Sequence, residues 1–124
     1  MAGGAEARKV REIWLKLSVL GLEKDPSEDA LAAYVKRICG LDDLHWVPNN
    51  KMERLIETMK QWALRALPGA VERELARLRE SGAAARMTPE ELARLNEALN
   101  AARRGTYDPL AAAYMLAQQA GKEG

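Results

Sequence analysis

Apolar residues recur at intervals of three and four along most of this 124-residue chain, and a few glycines and prolines break the rhythm. Val10, Ile13, Trp14, Leu17 and Leu20 share one face of a helix at that spacing. Gly21 closes the run. A glycine there can take the left-handed conformation that ends a helix, and Leu22 can fold back on Leu17 as in a Schellman cap.

Asp25-Pro26-Ser27-Glu28 reads as the next helix start, with Asp25 as cap, Pro26 in the first turn and Glu28 completing a capping box. Its buried stripe is expected to be Leu31, Tyr34, Val35 and Ile38, with Gly40 as the stop. Leu41 to Pro48 is too short and mixed for another full helix but rich in apolar anchors, so it reads as a docked loop. Asn49 or Asn50 then caps a third helix, Asn50 standing at capping-box spacing from Glu53. Met52, Leu55, Ile56, Met59 and Trp62 or Ala63 form its inward stripe.

Leu67-Pro68-Gly69 interrupts the pattern, because proline disfavours helical geometry in the residue before it. The chain therefore divides into residues 1–67, a three-helix unit, and residues 68–124, a C-terminal helical region that either packs on the first as one domain or stands apart. The fourth helix is expected from about Ala70 to Ser81, burying Val71, Leu75 and Leu78, exposing Glu74 and Arg77 at pairing distance, and ending at Gly82. Thr88-Pro89-Glu90-Glu91 is a capping box, with Met87 and Leu92 placed as a hydrophobic staple and Leu92, Leu95 and Leu99 facing inward. Gly105 ends that helix. Asp108-Pro109 opens a last one through Leu110, Ala113, Tyr114 and Ala117, expected to fray near Gly121.

Composition agrees with an all-α fold of about six helices. Apolar residues make up 48 % of the chain, yet Phe is absent, so the core must rest on Leu, Ala and three Trp. Ala, Leu, Arg and Glu are strong helix formers, whereas strands favour β-branched and aromatic residues. Trp14, Trp46 and Trp62 fall one per segment of the N-terminal pattern, which predicts a shared aromatic core. An exposed Trp among them would instead mark a binding anchor.

Charge and chemistry narrow the function classes. The net charge is +1, with no basic tail, and the pI of about 7.9 counts modestly against extensive phosphate contact. Cys39 is the only cysteine, so no internal disulfide can form. Residues 1–9 lack the apolar stretch of a secretory signal and no run reaches the length of a membrane span, so a cytoplasmic protein is expected. Cys39 and His45 are each unique, which argues against a metal site. Asp42-Asp43 reads as a solvated pair, and Gly3-Gly4 lies in a start expected to be disordered and precedes no strand. No nucleophile and base stand in a recognisable frame, so neither an enzyme nor a bound cofactor is expected.

The basic residues remain. Arg8, Lys9, Arg11 and Lys16 lie opposite the stripe of the first helix, Lys36-Arg37 end the second, and Lys51, Arg54, Lys60 and Arg65 dot the third between Glu53 and Glu57. Their simplest reading is a solvated charged face. A phosphate-facing patch is the functional alternative, with Lys36, Arg37, Lys51, Arg54 and Lys60 as candidate contacts to DNA or a partner.

A Trp-bearing first helix ending in glycine is followed by Ala30-Leu31-Ala32-Ala33-Tyr34-Val35-Lys36-Arg37-Ile38-Cys39-Gly40, then Leu44-His45-Trp46, then Leu55-Ile56-Glu57-Thr58-Met59-Lys60-Gln61-Trp62. This order resembles the GemA regulatory proteins of Mu-like bacteriophages over about residues 8–65. Val-Lys-Arg-x-x-Gly is the most specific part; Cys39 stands where a threonine is common. Trp14, Gly21, Tyr34, Gly40, Trp46 and Trp62 are the structural positions of the shared pattern. The resemblance implies an early phage or prophage regulator, associated with host gene expression and DNA topology and carrying no defined catalytic residues. Binding to DNA, or to a host or phage protein through the Ala/Leu-rich C-terminal helices, follows as the expectation.

Overall fold

The computed structural model describes residues 4–123. They form an all-α fold of six helices: α1 (Gly4–Val19), α2 (Glu28–Cys39), α3 (Asn49–Ala63), α4 (Leu67–Ser81), α5 (Pro89–Ala102) and α6 (Tyr107–Glu123). Short 3-10 turns at Leu44–Trp46 and Ala83–Arg86 precede α3 and α5. The chain divides into two compact units between Ala63 and Leu64. Gly4 already opens α1, correcting the expected disordered start, while Gly3 lies outside the described residues.

In the N-terminal unit α1 and α2 both pack on α3. Val10, Ile13, Trp14 and Leu17 are buried from α1, Leu31, Tyr34 and Val35 from α2, and Met52, Leu55, Met59 and Ala63 from α3. The Schellman cap forms as its residues require. Gly21 has φ +80°, its N–H donates to the Ser18 carbonyl at 3.0 Å, and the Leu22 N–H donates to the Leu17 carbonyl at 2.9 Å.

Helix α2 starts later than the sequence predicts. Asp25 does not cap it; its carboxylate accepts from the Ser27 N–H at 3.0 Å, and that bond holds the carboxyl below its ordinary range. The cap is Ser27, whose hydroxyl accepts from the Ala30 N–H at 3.1 Å. The Asp25 carboxylate is taken up by the Ser27 N–H ahead of the helix, and Ser27, with the extended backbone of a cap (φ −65°, ψ 158°), meets the first helical amides instead. Ile38, expected inside, is 40 % exposed, because the stripe runs out from under the core in the last turn. Helix α3 begins at Asn49, so Asn50 sits inside it rather than at a cap, and the Met52 N–H bonds the Pro48 carbonyl instead.

In the C-terminal unit α4 and α5 each pack on α6, and the 83–86 turn packs on both α4 and α6. Helix α6 is the central element. Its buried face of Tyr107, Leu110, Ala111, Ala113, Tyr114, Ala117 and Ala120 is mostly alanine. Small side chains let α4 and α5 approach closely, which accounts for a core without Phe. Leu78, Ala83, Leu95, Ala117 and Ala120 form one continuous cluster there.

Several expectations for this unit are corrected. Helix α4 begins at Leu67, so Pro68 and Gly69 belong to its first turn, where the missing proline N–H would have no helical partner anyway. Glu74 is buried rather than exposed, although its predicted pair with Arg77 forms at 3.2 Å. Leu92 is 38 % exposed and leaves Leu95 as the buried anchor of α5. Helix α6 begins at Tyr107, one residue ahead of Asp108, and runs to Glu123 past the expected fraying point at Gly121. The capping box of α5 forms in both directions, Thr88 and Glu91 each accepting from the other's N–H.

Candidate functional site

The C-terminal end of α2, the 44–46 turn and the start of α3 make a corner of the N-terminal unit. Gly40 creates it by adopting φ +77°, which stops α2 and returns its N–H to the Lys36 carbonyl at 2.8 Å. Lys51, in the first turn of α3, reaches back across the corner and donates from Nζ to the Cys39 carbonyl at 3.4 Å. A cation there satisfies one of the terminal carbonyls and opposes the negative end of the α2 dipole.

The connecting segment docks as expected and adds a 3-10 turn. Leu44 and Val47 are buried, which pins both ends. The Asp43 carboxylate caps the turn by accepting the His45 N–H at 2.9 Å, and the Trp46 N–H bonds the Asp43 carbonyl at 3.0 Å. With the anchors three residues apart, His45 and Trp46 between them face solvent. Trp46 is 63 % exposed, and the His45 ring stands nearly perpendicular to it with centroids 5.4 Å apart.

This overturns the expectation of a core shared by three tryptophans. The aromatic cluster consists of Trp14, Tyr34 and Trp62, with centroid separations of 5.4, 6.4 and 5.5 Å. Trp46 is absent from it because its neighbours Leu44 and Val47 already fill the space its segment offers to the core. The signal was present in the sequence as an apolar pair at i and i+3 bracketing His-Trp.

The five candidate contact residues are only partly brought together. Lys36 and Arg37 lie side by side at the end of α2; Lys36 Nζ pairs with the Asp42 carboxylate at 3.1 Å, both groups largely in solvent. The Arg37 guanidinium sits 5.3 Å from the centre of the Tyr34 ring, a cation–π contact that leaves it exposed. Lys51 joins them through the Cys39 carbonyl. Arg54 is exposed one turn further along α3, between Glu53 and Glu57 in sequence. Lys60 follows Lys51 by about two and a half turns and so projects from the opposite flank of α3; it is half-buried and engaged in a contact of its own. Lys36, Arg37, Lys51 and Arg54 form the corner, and Lys60 does not belong to it.

Of the four cations of the first helix, Arg8 is exposed and the other three are paired or half-buried. Arg11 pairs with Glu28 at 2.9 Å and Lys9 with Glu12 at 3.6 Å. Lys16 is half-buried, and desolvation lowers its pKa against the opposing pull of Glu12. Burial likewise pushes the Cys39 thiol up, with Lys51 pulling the other way, so the thiol stays protonated at neutral pH. No group of three or more potential metal ligands occurs among the described residues. A cleft of about 120 Å³ in the C-terminal unit, lined by Met87, Glu91, Arg94, Leu95, Leu116, Gln119 and Ala120, is smaller than the ~300 Å³ at which ligand pockets begin. None of the described helices is long and apolar enough to cross a membrane.

Fold and corner together define an all-α protein of two helical units, the first of which carries clustered cations at the end of α2 and an exposed aromatic in the segment that follows. The family model described as Bacteriophage Mu, GemA protein, matches residues 1–65, which takes in the whole N-terminal unit and this corner. The chain belongs to the GemA family, a family of phage proteins. No curated protein and no solved structure matches it.

Proposed function

We propose that the chain is a non-enzymatic phage regulatory protein of the host cytoplasm that acts by binding DNA, with the corner between α2 and α3 as its contact surface. Family membership is consistent with the regulatory class, since the resemblance to GemA proteins implies an association with host gene expression and DNA topology, and the match covers residues 1–65. The carrying observation is geometric: Lys51, distant in sequence from Lys36 and Arg37, is folded back to the end of α2, which brings three cations together, and Trp46 in the segment linking α2 to α3 is exposed. Phosphate contact by these cations makes affinity fall with salt, through release of condensed counterions. The test is titration of a duplex fragment at low salt and again as salt rises. Absence of binding, or binding indifferent to salt, removes the DNA-contact reading.

A second reading is favoured by Leu92 and Met115, which α5 and α6 leave 38 % and 50 % exposed. In it the C-terminal unit is an adaptor that presents these side chains to a protein or to a second copy. Sedimentation of the whole chain over a range of concentrations, beside a variant carrying Leu92→Ser and Met115→Ser, decides the self-association form. A monomer throughout argues against it.

A further inference from the structure

We infer that Trp46 is a stacking platform for an unpaired base, so that the nucleic acid taken at the corner is single-stranded. This rests on the DNA-binding reading above and adds the state of the strand and the residue that reads it. The indole is 63 % exposed, whereas Trp14 and Tyr34 of the same unit are almost wholly buried. It is also firmly mounted: buried Leu44 and Val47 pin the turn on both sides, and Asp43 closes it through the His45 N–H and the Trp46 N–H. A ring held in place before contact loses little freedom when a base stacks on it.

The cations stand within reach. Asp42, held by Lys36 at 3.1 Å, precedes Trp46 by four residues, a stretch that spans at most about 14 Å. That ion pair is exposed on both sides, so a phosphate can replace the Asp42 carboxylate with little loss. Arg37 adjoins Lys36, Lys51 reaches the end of α2, and Arg54 lies exposed one turn beyond Lys51 on α3.

The carboxylates decide between strand states. Asp42, Asp43, Glu53 and Glu57 are all exposed and interleave with the cations. A duplex presents its phosphates at fixed spacing and would bring some of them against these groups. A single strand bends at every nucleotide, so it can follow the cations, turn away from the carboxylates and lay a base on the indole. Aromatic platforms with cationic tracks are how proteins hold single strands without reading sequence.

The test uses the full chain at low salt with an oligothymidylate and a duplex of equal length, read by anisotropy and intrinsic tryptophan fluorescence. The oligothymidylate is expected to bind more tightly than the duplex and to quench the emission. Trp46→Ala should weaken oligothymidylate binding about tenfold with helical circular dichroism unchanged. Trp46→Phe, which keeps an aromatic face, should retain most of the affinity and lose most of the quench. Lys36→Ala with Arg37→Ala should flatten the salt dependence. Equal or tighter duplex binding, or oligothymidylate binding indifferent to Trp46→Ala, overturns the platform and leaves the DNA-binding reading standing. Failure to bind either probe overturns both and leaves the exposed Trp to a protein partner.

Discussion

Trp14 of α1 and Tyr34 of α2 pack ring against ring with centroids 5.4 Å apart and planes tilted by 38°. Trp62 of α3 meets both, edge-on to Trp14 and stacked on Tyr34, so each helix of the N-terminal unit contributes one ring. Trp14→Ala should therefore cost about 3–5 kcal/mol in urea unfolding, in the range for a large buried aromatic. The Trp14 Nε1 proton is buried without a hydrogen-bond acceptor among the described residues. Trp14→Phe removes that unsatisfied donor with part of the ring, so its loss should be well under half that of Trp14→Ala. Equal losses would mean that the indole N–H is satisfied.

The capping box of α5 links stability to pH. The Thr88 N–H donates to the Glu91 carboxylate at 2.9 Å, and this bond, more than the nearby Arg94, holds the carboxyl below its ordinary range. A carboxyl depressed in the folded state contributes stability that is present above its unfolded pKa and lost as pH falls through the folded one. Melting temperature should thus drop on acidification below the ordinary glutamate range. In Glu91→Gln the drop should be smaller. Thr88→Ala should cost about 1 kcal/mol at neutral pH through loss of the reciprocal bond.

Much of the fold was legible because helix punctuation is local. Gly21, Gly40 and Gly82 end helices in the left-handed conformation, and Thr88 with Glu91 forms the expected box, since each depends only on residues a turn away. The errors lie where two local signals compete or tertiary packing decides. Pro68 reads as a breaker by its effect on Leu67, yet it stands in a first turn, where it is tolerated. Asp25 and Ser27 are both competent caps, and the bond from the Ser27 N–H to the Asp25 carboxylate leaves the helix amides to Ser27.

The candidate site was legible as a set of residue types and not as a surface. Lys36-Arg37 at the end of α2 follows from periodicity, and the helical phase that sends Lys60 to the far flank could have been drawn from spacing alone. That Lys51 returns to the Cys39 carbonyl could not, because it depends on the path of the loop between them. Exposure of Trp46 was hidden by the reasonable assumption that a large aromatic seeks the core. Leu44 and Val47 take its place there.

Glu74 is the one charged residue buried among those described, and its partner Arg77, with the guanidinium mostly in solvent, meets it at 3.2 Å. The Tyr114 phenol is pushed up chiefly by burial and secondarily by the charge of Glu74. Glu74→Leu should be neutral or stabilising in urea unfolding, since a hydrophobic residue can replace a buried ion with gain. Arg77→Ala should destabilise, because it leaves the carboxylate with less compensation, though by no more than about 1 kcal/mol given the exposure of the guanidinium. If Glu74→Leu is the more damaging of the two, the carboxylate has a role that the Arg77 pair does not account for.

Gly40 ties the stability of the N-terminal unit to the geometry of its corner. A Cβ added there would meet no other atom within 4 Å, so crowding makes no contribution to the cost of substitution. What remains is the backbone conformation, φ +77°, which costs an ordinary L-residue roughly 1–2 kcal/mol. Gly40→Ala should lose about that much in urea unfolding. Gly40→Asn should lose distinctly less, since asparagine enters the left-handed region more readily. Helix α2 stops at Gly40, so a residue that resists the turn also moves the Cys39 carbonyl away from Lys51 and disturbs the arrangement of Lys36 and Arg37. On the proposed DNA-binding reading, Gly40→Ala should therefore lower nucleic-acid affinity even at temperatures where the protein stays folded, and Gly40→Asn should restore much of it. Equal affinity in the two variants would separate the corner's shape from its binding.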